Sequence, residues 1–281
     1  MTVRPLSRRG FLLAAGGVVA GTAGTCVDAF TWAPARIRLD RFDVAVPGLS
    51  PDLEGLTIAH LSDLHLHDGL HAPARRSLEL MAELAPDLTV ITGDVVEHPD
   101  QLPEASGWLE GCRGRLATVV TFGNWEHQSG VTPMMLAQAA SRGGASLLLN
   151  ESLRVERGRG RLTIVGLDDP RAGLPDPERA IRNVSEGDPV LWAFHAPGYA
   201  DVLNTRPLPR PFLALAGHTH GGQIRPPLLP AITPPASGRF VAGWYRDSFA
   251  PLYVSRGLGT SGIRARFRCP PEIGVFTLRR A

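Results

Sequence analysis

Read for its hydrophobic and polar positions, the chain has a mildly apolar start and then a long region of short apolar runs, polar clusters and helix-like stretches. Ile37, Leu39, Val44 and Val46 alternate partially with polar residues, which predicts an edge strand ended by Pro47-Gly48. Leu56–Leu61, Leu88–Thr92 and Leu116–Phe122 are apolar or β-branched runs of strand length and predict buried strands. Further strands are predicted at Leu162–Leu167, Val190–Phe194, Phe212–Ala216, Leu252–Val254 and Ile273–Leu278. Helices are predicted over Pro73–Leu84, where Leu78, Met81 and Leu84 share a face, and over Pro133–Arg142 and Pro177–Val184. Pro226 to Pro235 is too rich in proline for helix or sheet and reads as a loop. Alternating strands and helices imply an α/β fold with buried sheets.

The first residues have a different character. Ser7-Arg8-Arg9-Gly10-Phe11-Leu12-Leu13 opens an apolar run from Gly10 to Val27 that is rich in Gly, Ala and Val. A basic start before a short apolar segment reads as a secretory signal, and the arginine pair ahead of Phe-Leu resembles a twin-arginine export signal. The expectation is a signal peptide or N-terminal anchor over 1–35 and one domain over 36–281. Cleavage is expected between Ala29 and Phe30. The partner implied is the twin-arginine translocase, and the location is the periplasm or cell envelope. An uncleaved anchor on the cytoplasmic membrane is the alternative, although a run this short and glycine-rich is near the lower limit of about 17–25 residues for a span.

Setting that segment aside leaves about 245 residues, enough for one large α/β domain. Lys and Arg number 29 against 27 acidic residues, a formal charge of +2. A dedicated nucleic-acid partner is not expected, because phosphate neutralisation calls for a strong basic excess. Three cysteines without a Cys-x-x-Cys argue against a thiolate zinc site. In an exported chain a Cys112–Cys269 disulfide is open, with buried free thiols the ordinary alternative.

The chemistry lies at the carboxyl ends of the strands. Asp63 and His65 come after the first buried run, Asp94 after the second, Asn124 after the third, His195 after Val190–Phe194, and His218 and His220 after Phe212–Ala216. One histidine after a strand is usually an ordinary loop residue. Five strands delivering metal-ligand types at the same end is different, because loops there converge on one rim of an α/β sheet. Seven candidates, four of them imidazoles, are too many for one tetrahedral zinc and suit two neighbouring ions with a shared carboxylate. Imidazole with oxygen ligands points to two divalent ions such as Mn, Fe or Zn rather than Ca or Mg alone. Asp-x-His is expected to present both side chains on one side of an extended segment. Gly93 and Gly123 are expected to let the backbone turn tightly.

Asp63-Leu64-His65, Gly93-Asp94, Gly123-Asn124, His195 and Gly217-His218-Thr219-His220 resemble, in order and spacing, the calcineurin-like metallophosphoesterase superfamily. Gly221-Gly222-Gln223 and the tail Ser255 to Ile273 are similar to its bacterial exported or membrane-associated branch, and the resemblance covers roughly 36–279. It implies a four-layer αββα sandwich of two mixed sheets flanked by helices. It implies that Asp63, His65 and His220 hold one metal, that Asn124, His195 and His218 hold the other, and that Asp94 bridges. Two cations about 3.5–4 Å apart acidify a shared water and clamp the attacking and leaving oxygens. The activity implied is hydrolysis of a phosphodiester or pyrophosphate. A lipid-linked pyrophosphate of the UDP-2,3-diacylglucosamine type is the alternative substrate, and a non-catalytic metal-binding relative is the rival of another class.

One position departs from the pattern. The superfamily usually has a histidine after the motif asparagine, as proton donor to the leaving group, and here that residue is Trp125. Indole cannot protonate an alkoxide. His127, two residues on, is the candidate donor, with a solvated loop position as the alternative. Smaller expectations attach to other residues. His67 and Asp68 line the pocket or lie in solvent, and Asp168 and Asp169 orient a ligand histidine. Arg264, Arg266 and Arg268 contact phosphate or, more ordinarily, lie on the surface. The Pro226–Pro235 loop, with Phe240, Trp244 and Tyr245 behind it, forms an apolar lip or simply packs.

Overall fold

The computed structural model describes residues 26–281, so Arg8, Arg9 and most of the apolar start lie outside the described residues. Its strands form two six-stranded sheets. The first runs in the order β1 (Arg38–Val46), β12 (Glu272–Arg280), β2 (Thr57–Leu61), β3 (Leu88–Thr92), β4 (Ala117–Thr121), β5 (Ser146–Leu147). The second runs β10 (Gly243–Tyr245), β11 (Leu252–Val254), β9 (Leu213–Ala216), β8 (Val190–Ala193), β7 (Gly160–Gly166), β6 (Glu151–Arg157). Both are mixed: β12 is antiparallel to β2, β6 to β7 and β10 to β11, while the central strands are parallel.

Residue alternation along the strands builds the layers. Ile58, Leu88, Val90 and Val119 of one sheet meet Leu162, Ile164, Leu191 and Leu213 of the other in a core between the sheets. Their neighbours Ala59, Leu61, Ile91 and Val120 point the other way, onto Leu80 and Met81 of α1 (Ala72–Leu84), Trp108 and Leu109 of α2 (Leu102–Gly111) and Leu136 of α4 (Pro133–Arg142). α3 (Asn124–Gln128) is a short helix directly after β4. On the outer face of the second sheet, Val165, Trp192 and Ala214 pack with Ala180 at the end of α5 (Pro177–Ala180) and with Ala200 and Leu203 of α6 (Tyr199–Leu203). The four layers are therefore helix, sheet, sheet, helix, each central strand being apolar on both faces because both are covered.

The helix expected over Pro177–Val184 stops at Ala180 and continues as a turn, because Asn183, Val184 and Ser185 are weak helix formers. Cys112 and Cys269 are free thiols, Cys112 buried on the helix side of the first sheet and Cys269 beside the His220 backbone. No helix among the described residues is long and apolar enough to cross a membrane.

Candidate metal centre

The parallel strands β2, β3 and β4 end side by side, and their loops stay in register beyond the sheet. The Asp63 N–H donates to the Gly93 carbonyl and the His65 N–H to the Asp94 carbonyl, at 3.1 and 3.0 Å. Asp63 and His65 do converge, but not by strand alternation. Both are left-handed, with φ of 53° and 51°, as are Asp94, His218 and His220. Non-glycine residues adopt this region at a cost that surrounding contacts must hold, and such residues gather at functional sites. The two glycines act differently from each other. Gly93 has φ +78°, and a Cβ there would lie 2.7 Å from the Gly123 Cα and 2.9 Å from His195 Nδ1. Gly123 has ordinary extended geometry, and its missing side chain leaves room for the Asp94 carboxylate.

The expected donors come together in two buried triads. Ligand atoms of Asp63, His65 and His220 lie within 4.8 Å of one another, as do those of Asp94, His195 and His218. Asp94 Oδ2 stands between them, 3.5 Å from His65 Nε2 and 3.1 Å from His195 Nε2. The buried Asn124 Oδ1 has no partner. Two imidazoles are oriented by carbonyls, which can only accept. His195 Nδ1 lies 2.7 Å from the Thr92 oxygen, and His218 Nε2 lies 2.7 Å from the Pro235 oxygen. Each of those nitrogens therefore carries the proton, which turns His195 Nε2 and His218 Nδ1 inward, 3.2 Å apart. Nε2 atoms of His65 and His220 likewise face one another at 3.0 Å. Inward imidazole nitrogens, two carboxylates and an orphaned amide oxygen form a donor set that a pair of divalent cations satisfies, so the residues present fit the implied metals.

Electrostatics agree with that reading. Burial opposes charge on His195, but Asp94 and Asp63 outweigh it and raise its basicity well above the ordinary imidazole value. Burial also raises Asp94, yet His195 and His65 hold its carboxyl well below the usual range. Burial beside His195 pushes His218 down to about 4, and burial beside His65 drives His220 well below its ordinary value. The two aspartates thus favour positive charge at His195, while burial keeps His218 and His220 neutral, the form in which an imidazole binds a metal.

Two glutamates join the site without having stood out in the sequence. Glu126 is buried and accepts backbone N–H groups of Gly123, Asp94, Val95 and Val96 at 2.6–3.2 Å, fixing the Asp94 loop against α3. Glu97 lies 3.5 Å from His65 Nδ1 and is held in turn by Arg264. Against the penalty of burial, His65 and Arg264 bring its pKa down to about 2. The one signal for them is spacing: Glu126 stands two residues after Asn124, and Glu97 three after Asp94.

Other candidates fall elsewhere. His127 Nε2 lies 2.7 Å from Asp168 Oδ1, so Asp168 meets His127 rather than a ligand histidine. His67 Nδ1 contacts the His65 carbonyl, and Asp68 is exposed. Arg266 is neither at a phosphate site nor on the surface; it is buried, and its guanidinium donates to carbonyls of Gly259, Cys269 and Gly257. Above the triads opens a cavity of about 570 Å³, lined among others by Trp125, Gln128, Arg171, Ile232 and Ile263. The Trp125 ring stands perpendicular to that of His65, centroids 5.6 Å apart.

The model of the calcineurin-like phosphoesterase family matches residues 56–222, the span holding all seven candidate donors. The chain belongs to that family. This metallophosphoesterase is 31% identical to the uncharacterized metallophosphoesterase YkuE of Bacillus subtilis, over 99% of both chains. It is 28% identical to the phosphodiesterase YaeI of Escherichia coli, over 97% of this chain and 99% of that one. It is 26% identical to the UDP-2,3-diacylglucosamine pyrophosphatase LpxG of Chlamydia muridarum, over 93% and 97%. The metallophosphoesterase is thus a hydrolase of phosphoester bonds with a binuclear divalent-metal site.

Proposed function

We propose that this metallophosphoesterase hydrolyses a phosphodiester or phosphoanhydride whose leaving group departs without a protein proton donor. The observation that carries the reading is the pair of buried triads meeting at Asp94, with Trp125 where a donor histidine would stand. Asp63, His65 and His220 would hold one ion and Asn124, His195 and His218 the other, with Asp94 reaching both. Bound there, the ions supply Lewis acidity and an acidified water. The chain's own part is orientation. Thr92 and Pro235 carbonyls fix the His195 and His218 tautomers, Glu126 pins the Asp94 loop, and Trp125 walls the cavity with a ring that has no acidic proton for an alkoxide. Water's oxygen forms the new bond to phosphorus and gives up a proton to solvent, and the leaving oxygen keeps the electron pair of the bond that breaks. A phosphate or an acidic alcohol tolerates that outcome, whereas a simple alkoxide does not.

A second reading, hydrolysis of a lipid-linked pyrophosphate, is favoured by Ile232 and Ile263, which line the cavity and are 83% and 56% exposed at its rim. The name of the relative LpxG points the same way. Metal-loaded protein assayed side by side on nitrophenyl diesters, alkyl monoesters and UDP-diacylglucosamine separates the readings. Alkyl monoesters turned over best would refute both. Export by the twin-arginine route, carried by Arg8-Arg9 and the apolar run behind them, is part of the proposal.

A further inference from the structure

The rim of the cavity carries a second feature that hydrolysis does not use. Leu228 is fully exposed and Leu229 is 65% exposed, at the tip of a loop whose residues 226–238 include no ionisable side chain. Ile232 and Ile263 extend this surface to the cavity. Large exposed aliphatic residues gathered at one place on a protein surface mark an interaction site. Three segments lie side by side here. The Arg225 N–H donates to the Phe267 carbonyl at 3.0 Å, and the Arg266 N–H donates to the Ala29 carbonyl at 2.9 Å. The second bond brings the chain's first described turn, with Phe30 and Trp32 both exposed, beside the same tail.

The surroundings are basic. Arg225 and Arg268 are exposed and have no acidic partner among the described residues. Apolar tips beside these two unpaired arginines, with aromatic residues on the neighbouring turn, match a bilayer interface carrying anionic headgroups. In the sequence, that turn follows directly on the apolar run from Gly10 to Val27. We infer that the face built from the 226–236 loop, the 261–268 tail and the turn at Phe30 docks on an anionic lipid bilayer and turns the cavity mouth toward it. The inference stands apart from which phosphoester is cleaved.

The test uses the full chain with vesicles of phosphatidylglycerol and phosphatidylcholine, with phosphatidylcholine alone as the comparison. Hydrogen exchange should slow over residues 223–236 and 261–268 on the anionic vesicles, and the protection should fade as salt is added. Leu228→Asp combined with Leu229→Asp should weaken that protection at least ~10-fold in lipid concentration, since both apolar tips are lost. Turnover of a soluble nitrophenyl diester should stay within about twofold, because neither residue touches the cavity donors. Vesicle-bound protein with these segments unprotected would show that the N-terminal run acts alone, and would overturn the inference. Protection without lipid that grows with protein concentration would assign the face to a second copy and overturn it too, as would equal protection on phosphatidylcholine. A parent chain inactive on every phosphoester would sink the substrate reading while leaving the docking result standing.

Discussion

His127 and Asp168 are partners: the imidazole Nε2 lies 2.7 Å from the carboxylate Oδ1, and the ring rests on Phe122 with centroids 4.6 Å apart. The residue with the strongest sequence claim to proton donation is thereby tied to a loop after β7, and it is Trp125 and Gln128 of the same helix that line the cavity. His127→Ala should slow alkyl and nitrophenyl diesters by the same factor. A loss confined to alkyl diesters would identify His127 as the donor after all.

The same pair makes stability pH-dependent. The Asp168 bond raises the His127 pKa, so its contribution is complete below the unfolded value of about 6.5 and is lost as pH rises through the folded value. Burial pushes Asp168 up but His127 outweighs it, and its lowered pKa keeps the carboxylate charged down to below the unfolded value of 3.8. Asp168→Asn should therefore cost on the order of 1 kcal/mol more near about pH 5.5 than near about pH 9, on top of a pH-independent loss because the carboxylate also accepts the Asp169 and Leu174 N–H groups. Thermal melts at the two pH values check this, and an equal loss at both would mean that the charge is irrelevant.

Asp94 reaches both triads through one oxygen, at 3.1 and 3.5 Å. Asp94→Asn should leave fewer than two ions per chain by elemental analysis and lower turnover at least ~100-fold, more than losing a residue that merely orients a ligand usually costs. Two ions retained with near-normal turnover would refute the shared-carboxylate arrangement.

Glu97 faces His65 on the side away from the other donors. Glu97→Gln keeps the shape but removes the charge that draws on the imidazole, and should weaken metal retention about 10–100-fold in a chelator competition. Arg264→Ala, which frees Glu97 on its far side, should produce a smaller loss in the same direction. If Arg264→Ala proved the more damaging of the two, Arg264 would be acting on something other than Glu97.

The strands of the central sheets were legible because residues buried on both faces make continuous apolar runs, and Leu88–Thr92 coincides with β3. α2 was not, because its Pro103, Gly107 and Gly111 obscure a helical face that burial of Ala105, Trp108 and Leu109 makes plain. The candidate donors stood out as residue types at strand ends, and the fold brings them together. How they converge was not legible, since left-handed backbone at Asp63, His65 and His218 depends on neighbours that no local pattern encodes. Arg266 shows the same limit: alternate arginines look like surface, and only the fold gathers the carbonyls that hold one of them inside.

Under the proposed twin-arginine export, Arg8→Lys with Arg9→Lys should trap the full chain in the cytoplasm, because that route's receptor reads the guanidinium pair itself. Cell fractionation decides. Unchanged distribution would indicate another route or a simple anchor.

Trp125 is the residue whose replacement tells most about the chemistry. Its N–H donates to Asp94 Oδ1 at 2.8 Å, a backbone bond that a histidine at this position keeps, so substitution should leave the Asp94 loop in place. The indole ring stands perpendicular to His65 at the cavity wall, and an imidazole in its place would project from the same backbone toward the same space. Trp125→His should therefore raise kcat/KM for alkyl esters, whose leaving oxygen needs a proton, by ~10²-fold relative to nitrophenyl esters. The new activity should also acquire a basic limb, falling as pH rises through the imidazole's pKa, whereas the nitrophenyl rate should not. A uniform change in both rates would mean that the side chain shapes the cavity without reaching the leaving group. An alkyl-ester rate in the parent chain already equal to the nitrophenyl rate would be more damaging, because it would show that a proton donor other than residue 125 is present and that the preference for acidic leaving groups does not exist.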